Sequence, residues 1–216
     1  MSSRYAEDFA GLISTMKRAA AALRDADVEF MLGGGLAIWA RGGPQSDHDV
    51  DFLVREGDAE RALQALVGAG MTAEQPPEEW LYKAYDGDVL VDLVFRPSGG
   101  SISDEHFARA THLEVHALTM LVASIDDVLV AKLLALSEQE PDFRHVLEVA
   151  RALREQIDWS VVEARSSSSP FARAFFTLIE GLGIVERTNG LVTAVPPPPD
   201  RTHGGETEWP RRLVSS

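Results

Sequence analysis

No cysteine occurs among the 216 residues, which excludes disulfides and thiolate metal sites. Long hydrophobic runs are also missing. Nothing approaches the roughly 20 apolar residues that a membrane-spanning helix needs. The opening Met1-Ser2-Ser3-Arg4-Tyr5-Ala6-Glu7-Asp8 lacks the basic-then-apolar order of a secretory signal. The chain is therefore expected in the cytoplasm. Basic charge is scarce, with 20 Lys and Arg against 34 Asp and Glu, a formal net charge of −14. That balance argues against a protein whose whole surface binds nucleic acid, because such affinity depends on neutralising phosphates. It leaves room for a local basic face and would steer a small cationic substrate inward. The remaining composition, 45% hydrophobic and 25% charged, is that of an ordinary core-forming chain of one domain or a small pair. No internal repeat is evident.

What is present centres on Phe30-Met31-Leu32-Gly33-Gly34-Gly35-Leu36-Ala37-Ile38-Trp39, followed after a loop by Ser46-Asp47-His48-Asp49-Val50-Asp51-Phe52-Leu53-Val54. An apolar strand running into three glycines and a helical segment offers backbone N–H groups that a phosphate can approach without Cβ interference. In the second stretch Asp49 and Asp51 lie two residues apart, so the period of a strand sends both carboxylates to one face. Asp47, Asp49 and Asp51 allow two registers. Apolar Val50 and the continuation Phe52-Leu53-Val54 favour Asp49 with Asp51. Paired carboxylates beside a phosphate cradle are the arrangement that Mg²⁺ takes at nucleotide sites. His48 falls on the opposite strand face, and the other histidines show no ligand spacing, which makes zinc improbable.

Gly34-Gly35 followed by Asp49-Val50-Asp51 resembles the signature of the DNA polymerase β-type nucleotidyltransferase superfamily. The resemblance implies an α+β fold, a nucleotidyltransferase-like mixed β-sheet flanked by helices. It also implies a third carboxylate on a later strand. Asp92 fits that place, since it interrupts the apolar run Val89 to Phe95, and a buried carboxylate is costly unless paired or metal-bound.

Around this centre, residues 5 to 25 carry Phe9, Leu12, Ile13, Met16, Ala20 and Leu23 at helical spacing. Val28 to Leu32 and Asp49 to Val54 are expected strands, with Leu36 to Ala40 a short helix between them. Asp58-Ala59-Glu60 should cap a helix ending at Gly68-Ala69-Gly70. Asp86-Gly87-Asp88 should turn a hairpin between 80–85 and 89–95. Thr111 to Ala123 holds one or two more strands, and Ser124 caps a helix with Val128, Leu129, Leu133 and Leu136 on one stripe. Lys132 sits among them, as a snorkelling side chain or a phosphate-binding cation. Asp158 to Ala164 reads as a short helix, Ser166 to Ser169 as a linker, and Pro170 as the first position of a helix over 171–182.

The segment Ile125 to Leu136 with Pro141-Asp142-Phe143 is similar to the helical half of AbiEii and MenT-type nucleotidyltransferase toxins. By that resemblance Lys132 contacts the triphosphate and Asp142 acts as base or orients Lys132, while the residues alone read Asp142 equally as a helix N-cap. The organisation expected is a nucleotidyltransferase core over 1–123, a helical C-terminal lobe over 124–187 and a disordered or loosely docked tail over 188–216. The activity implied is Mg²⁺-dependent, with a two-metal site at Asp49, Asp51 and Asp92 and with Gly34, Gly35 and Lys132 holding the NTP. It moves an NMP to an acceptor hydroxyl. The toxin resemblance places RNA, a tRNA end, first as that acceptor and implies an antitoxin partner. The acidic balance points instead to a small cationic acceptor, as in antibiotic nucleotidyltransferases. A non-catalytic nucleotide-binding or antitoxin-like member of the fold is the third alternative.

Overall fold

The computed structural model describes residues 2–45, 49–74 and 78–197; Asp47 and His48 lie outside the described residues. Nine strands and eight α-helices are described. The first helix α1 (Ser2–Asp25) leads into β1 (Phe30–Leu32), α2 (Gly34–Ala40), β2 (Asp49–Val54) and α3 (Ala59–Gly68). Strands β3 (Thr72–Glu74), β4 (Leu81–Asp86) and β5 (Val89–Val94) follow, then α4 (Asp104–Arg109), β6 (Thr111–Val115) and β7 (Leu118–Val122). Helices α5 (Ile125–Ala135), α6 (Arg144–Ala152), α7 (Trp159–Ser166) and α8 (Pro170–Gly181) precede a hairpin of β8 (Val185–Thr188) and β9 (Leu191–Ala194). The result is the mixed α+β architecture that the sequence implied.

Seven strands form one sheet in the order β3-β4-β5-β2-β1-β7-β6. Its centre is mixed: β2 runs antiparallel to β1 and parallel to β5. The alternation of β2 separates the sheet's two faces. Val50, Phe52 and Val54 are buried against α1 and α3, where Met16, Leu23 and Leu66 are wholly shielded. Asp49, Asp51 and Leu53 point to the other face, toward α2 and α5. The apolar core is continuous from the sheet through α5 to α8, joining Phe52 to Leu129, Val149 and Phe175.

Local signals explain most boundaries. Gly87, at φ +62, begins the two-residue turn between β4 and β5, where glycine is the residue that meets the positive angle freely. Ser124, Asp158 and Ser169 each accept a backbone N–H at the starts of α5, α7 and α8. Asp58 departs from expectation. It makes no cap bond and instead pairs with Arg61 at 2.7 Å.

The expected tail over 188–216 is corrected at its start. Thr188-Asn189-Gly190-Leu191 closes the β8–β9 hairpin, with both central residues at positive φ. The hairpin packs down through buried Val192, both of whose backbone groups bond the Ser160 hydroxyl. Among the described residues no helix is long and apolar enough to cross a membrane.

Candidate active site

The site begins where β1 meets β2. Gly33 donates its N–H to the Asp51 carbonyl at 2.8 Å, holding the glycine turn against the carboxylate strand. Gly34 follows at φ +51, and a Cβ there would stand 1.5 Å from Asp51 Oδ2. Gly35 donates its backbone N–H to the Asp51 carboxylate. The glycines thus make room for Asp51 and seat its carboxylate. Gly34→Ala is expected to cost about 1–3 kcal/mol in backbone strain and to displace Asp51, lowering both the melting temperature and activity. A thermal melt beside an activity assay reads both effects.

Asp92 enters from β5, whose parallel register places it opposite Asp51. One carboxylate oxygen each from Asp49, Asp51 and Asp92 lie within 4.8 Å of one another. Asp92 is 8% exposed, and its buried Oδ1 has no hydrogen-bond partner among the described residues. An unmet buried acceptor is costly, so this oxygen is built for a ligand. Burial, then the charges of Asp49 and Asp92, pushes the Asp51 carboxyl up to about 7, while Lys132 and the Gly35 N–H pull the other way. Burial also pushes Asp92 up to about 6, with Lys83 opposing and Asp49, Glu78 and Glu74 adding to the rise. Three converging oxygens under mutual repulsion fit a hard divalent cation such as Mg²⁺.

Asp49 and Asp51 line a cavity of about 880 Å³ roofed by α5 and α6. Lys132 is partly buried, lines this cavity and lies close enough to offset the charge of Asp51. Its stem packs as a snorkelling lysine's does, but its charge emerges into the cavity. Asp142 lines the same cavity from the segment before α6. Its carboxylate accepts the Arg144 N–H at 2.9 Å and pairs with the Arg144 guanidinium at 2.7 Å. Those contacts hold Asp142 below the usual carboxylate range.

Other cavity residues escaped the sequence reading. Asp127 was visible only as part of a helix start. It accepts two bonds from Arg109, at 2.9 and 3.0 Å, and pairs with Arg165 at 2.6 Å, tying α4 and α7 to α5. Burial pushes its carboxyl up, but the two guanidiniums prevail and hold it low. His106 lines the wall beside it, bonded to Ser103 in a capping box that Ser103-x-x-His106 could have signalled. Burial lowers its pKa, favouring the neutral ring. Trp80 also lines the cavity.

The family model described as "uncharacterised nucleotidyltransferase" matches residues 7–181. No curated protein matches the chain. Among solved structures, ANT(2″)-Ia in complex with adenylyl-2″-tobramycin is similar with a TM-score of 0.58 at 15% identity, over 76% of this chain and 98% of that one. The solution structure of the antibiotic-resistance factor ANT(2″)-Ia gives a TM-score of 0.58 at 16% identity, over 79% and 95%. These likenesses concern the fold, while the match over residues 7–181 assigns the family. Enzymes of this kind use an NTP and Mg²⁺, to which the carboxylate cluster is suited. The chain belongs to the uncharacterised nucleotidyltransferase family.

Proposed function

We propose that the protein transfers a nucleoside monophosphate from an NTP to a hydroxyl of a small cationic acceptor, with Asp49, Asp51 and Asp92 holding Mg²⁺. The observation that carries this reading is the convergence of three carboxylate oxygens within 4.8 Å, one of them buried and unpartnered, beside the Gly34-Gly35 backbone. When bound, the metal supplies charge neutralisation on the triphosphate and acidifies the attacking hydroxyl.

The chain's own groups divide the remaining work. Gly34 and Gly35 let backbone come close to a phosphate. Lys132, whose charge reaches Asp51, offers its ammonium to the charge that builds on the departing pyrophosphate. The acceptor oxygen bonds to the α-phosphorus as the bond to the bridging oxygen breaks. Pyrophosphate leaves with that electron pair, and the hydroxyl proton passes to water. Asp142, committed to Arg144, is a weak base and serves to position that arginine at the cavity mouth.

Three observations favour a small acceptor. The cavity volume lies in the usual range for small-molecule sites, about 300–1,000 Å³. Its two arginines, Arg144 and Arg165, are each paired with a carboxylate, which leaves little free positive charge to draw in an RNA backbone. The net charge of −14 attracts cations. The fold neighbour solved with adenylyl-2″-tobramycin supports the same class. Lys132 facing the carboxylates supports a second reading, transfer to an RNA end by a toxin with a cognate antitoxin, as the toxin resemblance implies. Incubation with each α-labelled NTP, Mg²⁺ and either an aminocyclitol panel or total RNA separates the two. Label on a small amine-bearing acceptor is expected, and label on RNA alone would transfer the assignment to the second reading.

A further inference from the structure

Trp80 is 42% exposed, the one aromatic ring among the large exposed hydrophobic residues of the described chain. Its backbone is fixed, since its carbonyl accepts the N–H groups of Phe95 and Arg96. Its ring stacks on no other ring among the described residues. It lines the cavity that also receives Asp49 and Asp51. The fold gains little from a tryptophan in that position. A ligand would gain a flat apolar platform.

The floor between Trp80 and the carboxylates has a definite composition. Leu53 follows Asp51 by two residues on β2, Val94 follows Asp92 by two on β5, and the two pair in register. One step along the strands, about 7 Å, therefore takes the cavity floor from charged to apolar. Ile102 and Pro97 continue that apolar surface. Gly99 and Gly100, at φ +112 and +123, bring bare backbone to the rim. Leu53, Trp80, Val94, Pro97 and Ile102 carry no ionisable group. Such a surface suits a flat uncharged heterocycle attached to the triphosphate better than a cationic acceptor.

We propose that Trp80, with Leu53, Val94 and Ile102, forms the nucleobase slot of the active site, the base stacking on the indole while its triphosphate lies over the carboxylates. The proposal rests on the nucleotidyl-transfer reading and adds to it the place of the base. Stacking tolerates any base, so the slot accepts more than one NTP.

The test measures equilibrium binding of a non-hydrolysable ATP analogue and of inorganic triphosphate, each with Mg²⁺, to wild type, Trp80→Ala and Trp80→Phe. Trp80→Ala should bind the ATP analogue roughly 5- to 150-fold more weakly, the range of one lost base–aromatic stack. Triphosphate affinity should stay within about twofold, and Trp80→Phe should recover most of the loss. Binding of both probes by wild type, with both unchanged in Trp80→Ala, overturns the slot alone. Parallel loss of both probes in Trp80→Ala overturns it too, because the effect would then be general. A wild type that binds neither probe removes the nucleotidyl-transfer reading together with the slot.

Discussion

Asp51→Asn should fold, melt higher than wild type without metal at pH 8, and transfer no detectable nucleotide. The stability gain follows from charge. Asp49, Asp51 and Asp92 crowd three carboxylates into 4.8 Å, and neutralising one removes repulsion from the other two. The asparagine keeps an oxygen for the Gly35 N–H that Asp51 accepts. Relief of at least about 1 kcal/mol would raise the melting temperature of a chain this size by about 2–4 °C. Mg²⁺ should raise the wild-type melting temperature and do much less for the variant, because only the wild type has the full ligand set. Asp49→Asn should likewise abolish transfer, and Asp47→Asn should be mild. A dead Asp47 variant beside an active Asp51 variant would show the wrong register.

Lys132→Met should keep its fold and lose activity by roughly two to three orders of magnitude. The methionine keeps the apolar stem of a partly buried side chain, so stability should be unchanged or higher. The charge is what disappears. In a partly enclosed cavity a cation aimed at developing phosphate charge contributes about 2–4 kcal/mol to the transition state, on the scale of one oxyanion donor, and that range sets the expected loss. If the ammonium were only solvated, the variant would remain active. Its kcat and KM would then match those of wild type, and the charge of Lys132 beside Asp51 would be incidental.

The parts of the site that were readable in the sequence are those governed by local rules. Period two put Asp49 and Asp51 on one face, and Asp92 stood out as an acid inside an apolar run. The turn at Asp86-Gly87-Asp88 carried its own chemistry. What escaped depends on distant pairing. The parallel register that sets Asp92 opposite Asp51 joins chain segments separated by α3, β3 and β4, and no local pattern encodes it. Asp127 looked like a helix-start acid because its partners, Arg109 and Arg165, come from two other helices. Helix α5 is buried on several sides, with Ile125, Val128, Leu129, Val130 and Leu133 all shielded, so its apolar pattern could not say which face Lys132 shares. The β8–β9 hairpin is different. Asn189-Gly190 was a legible turn, overshadowed by the prolines that follow it.

The glycine turn joins these levels. A Cβ at Gly34 would overlap the carboxylate of Asp51, so the residue proposed to free the backbone toward a phosphate also makes room for a proposed metal ligand. Sequence motif, backbone angle and site geometry meet in that one contact.

The central claim is that Asp49, Asp51 and Asp92 together bind a divalent metal beside a nucleotide. It is tested most directly by titrating Mn²⁺, read by electron paramagnetic resonance, into wild type and Asp92→Asn with a non-hydrolysable NTP present. The account predicts a bound-metal signal in wild type and at least about tenfold weaker binding in the variant, which lacks one ligand charge. Equal Mn²⁺ affinity in the two proteins would contradict it.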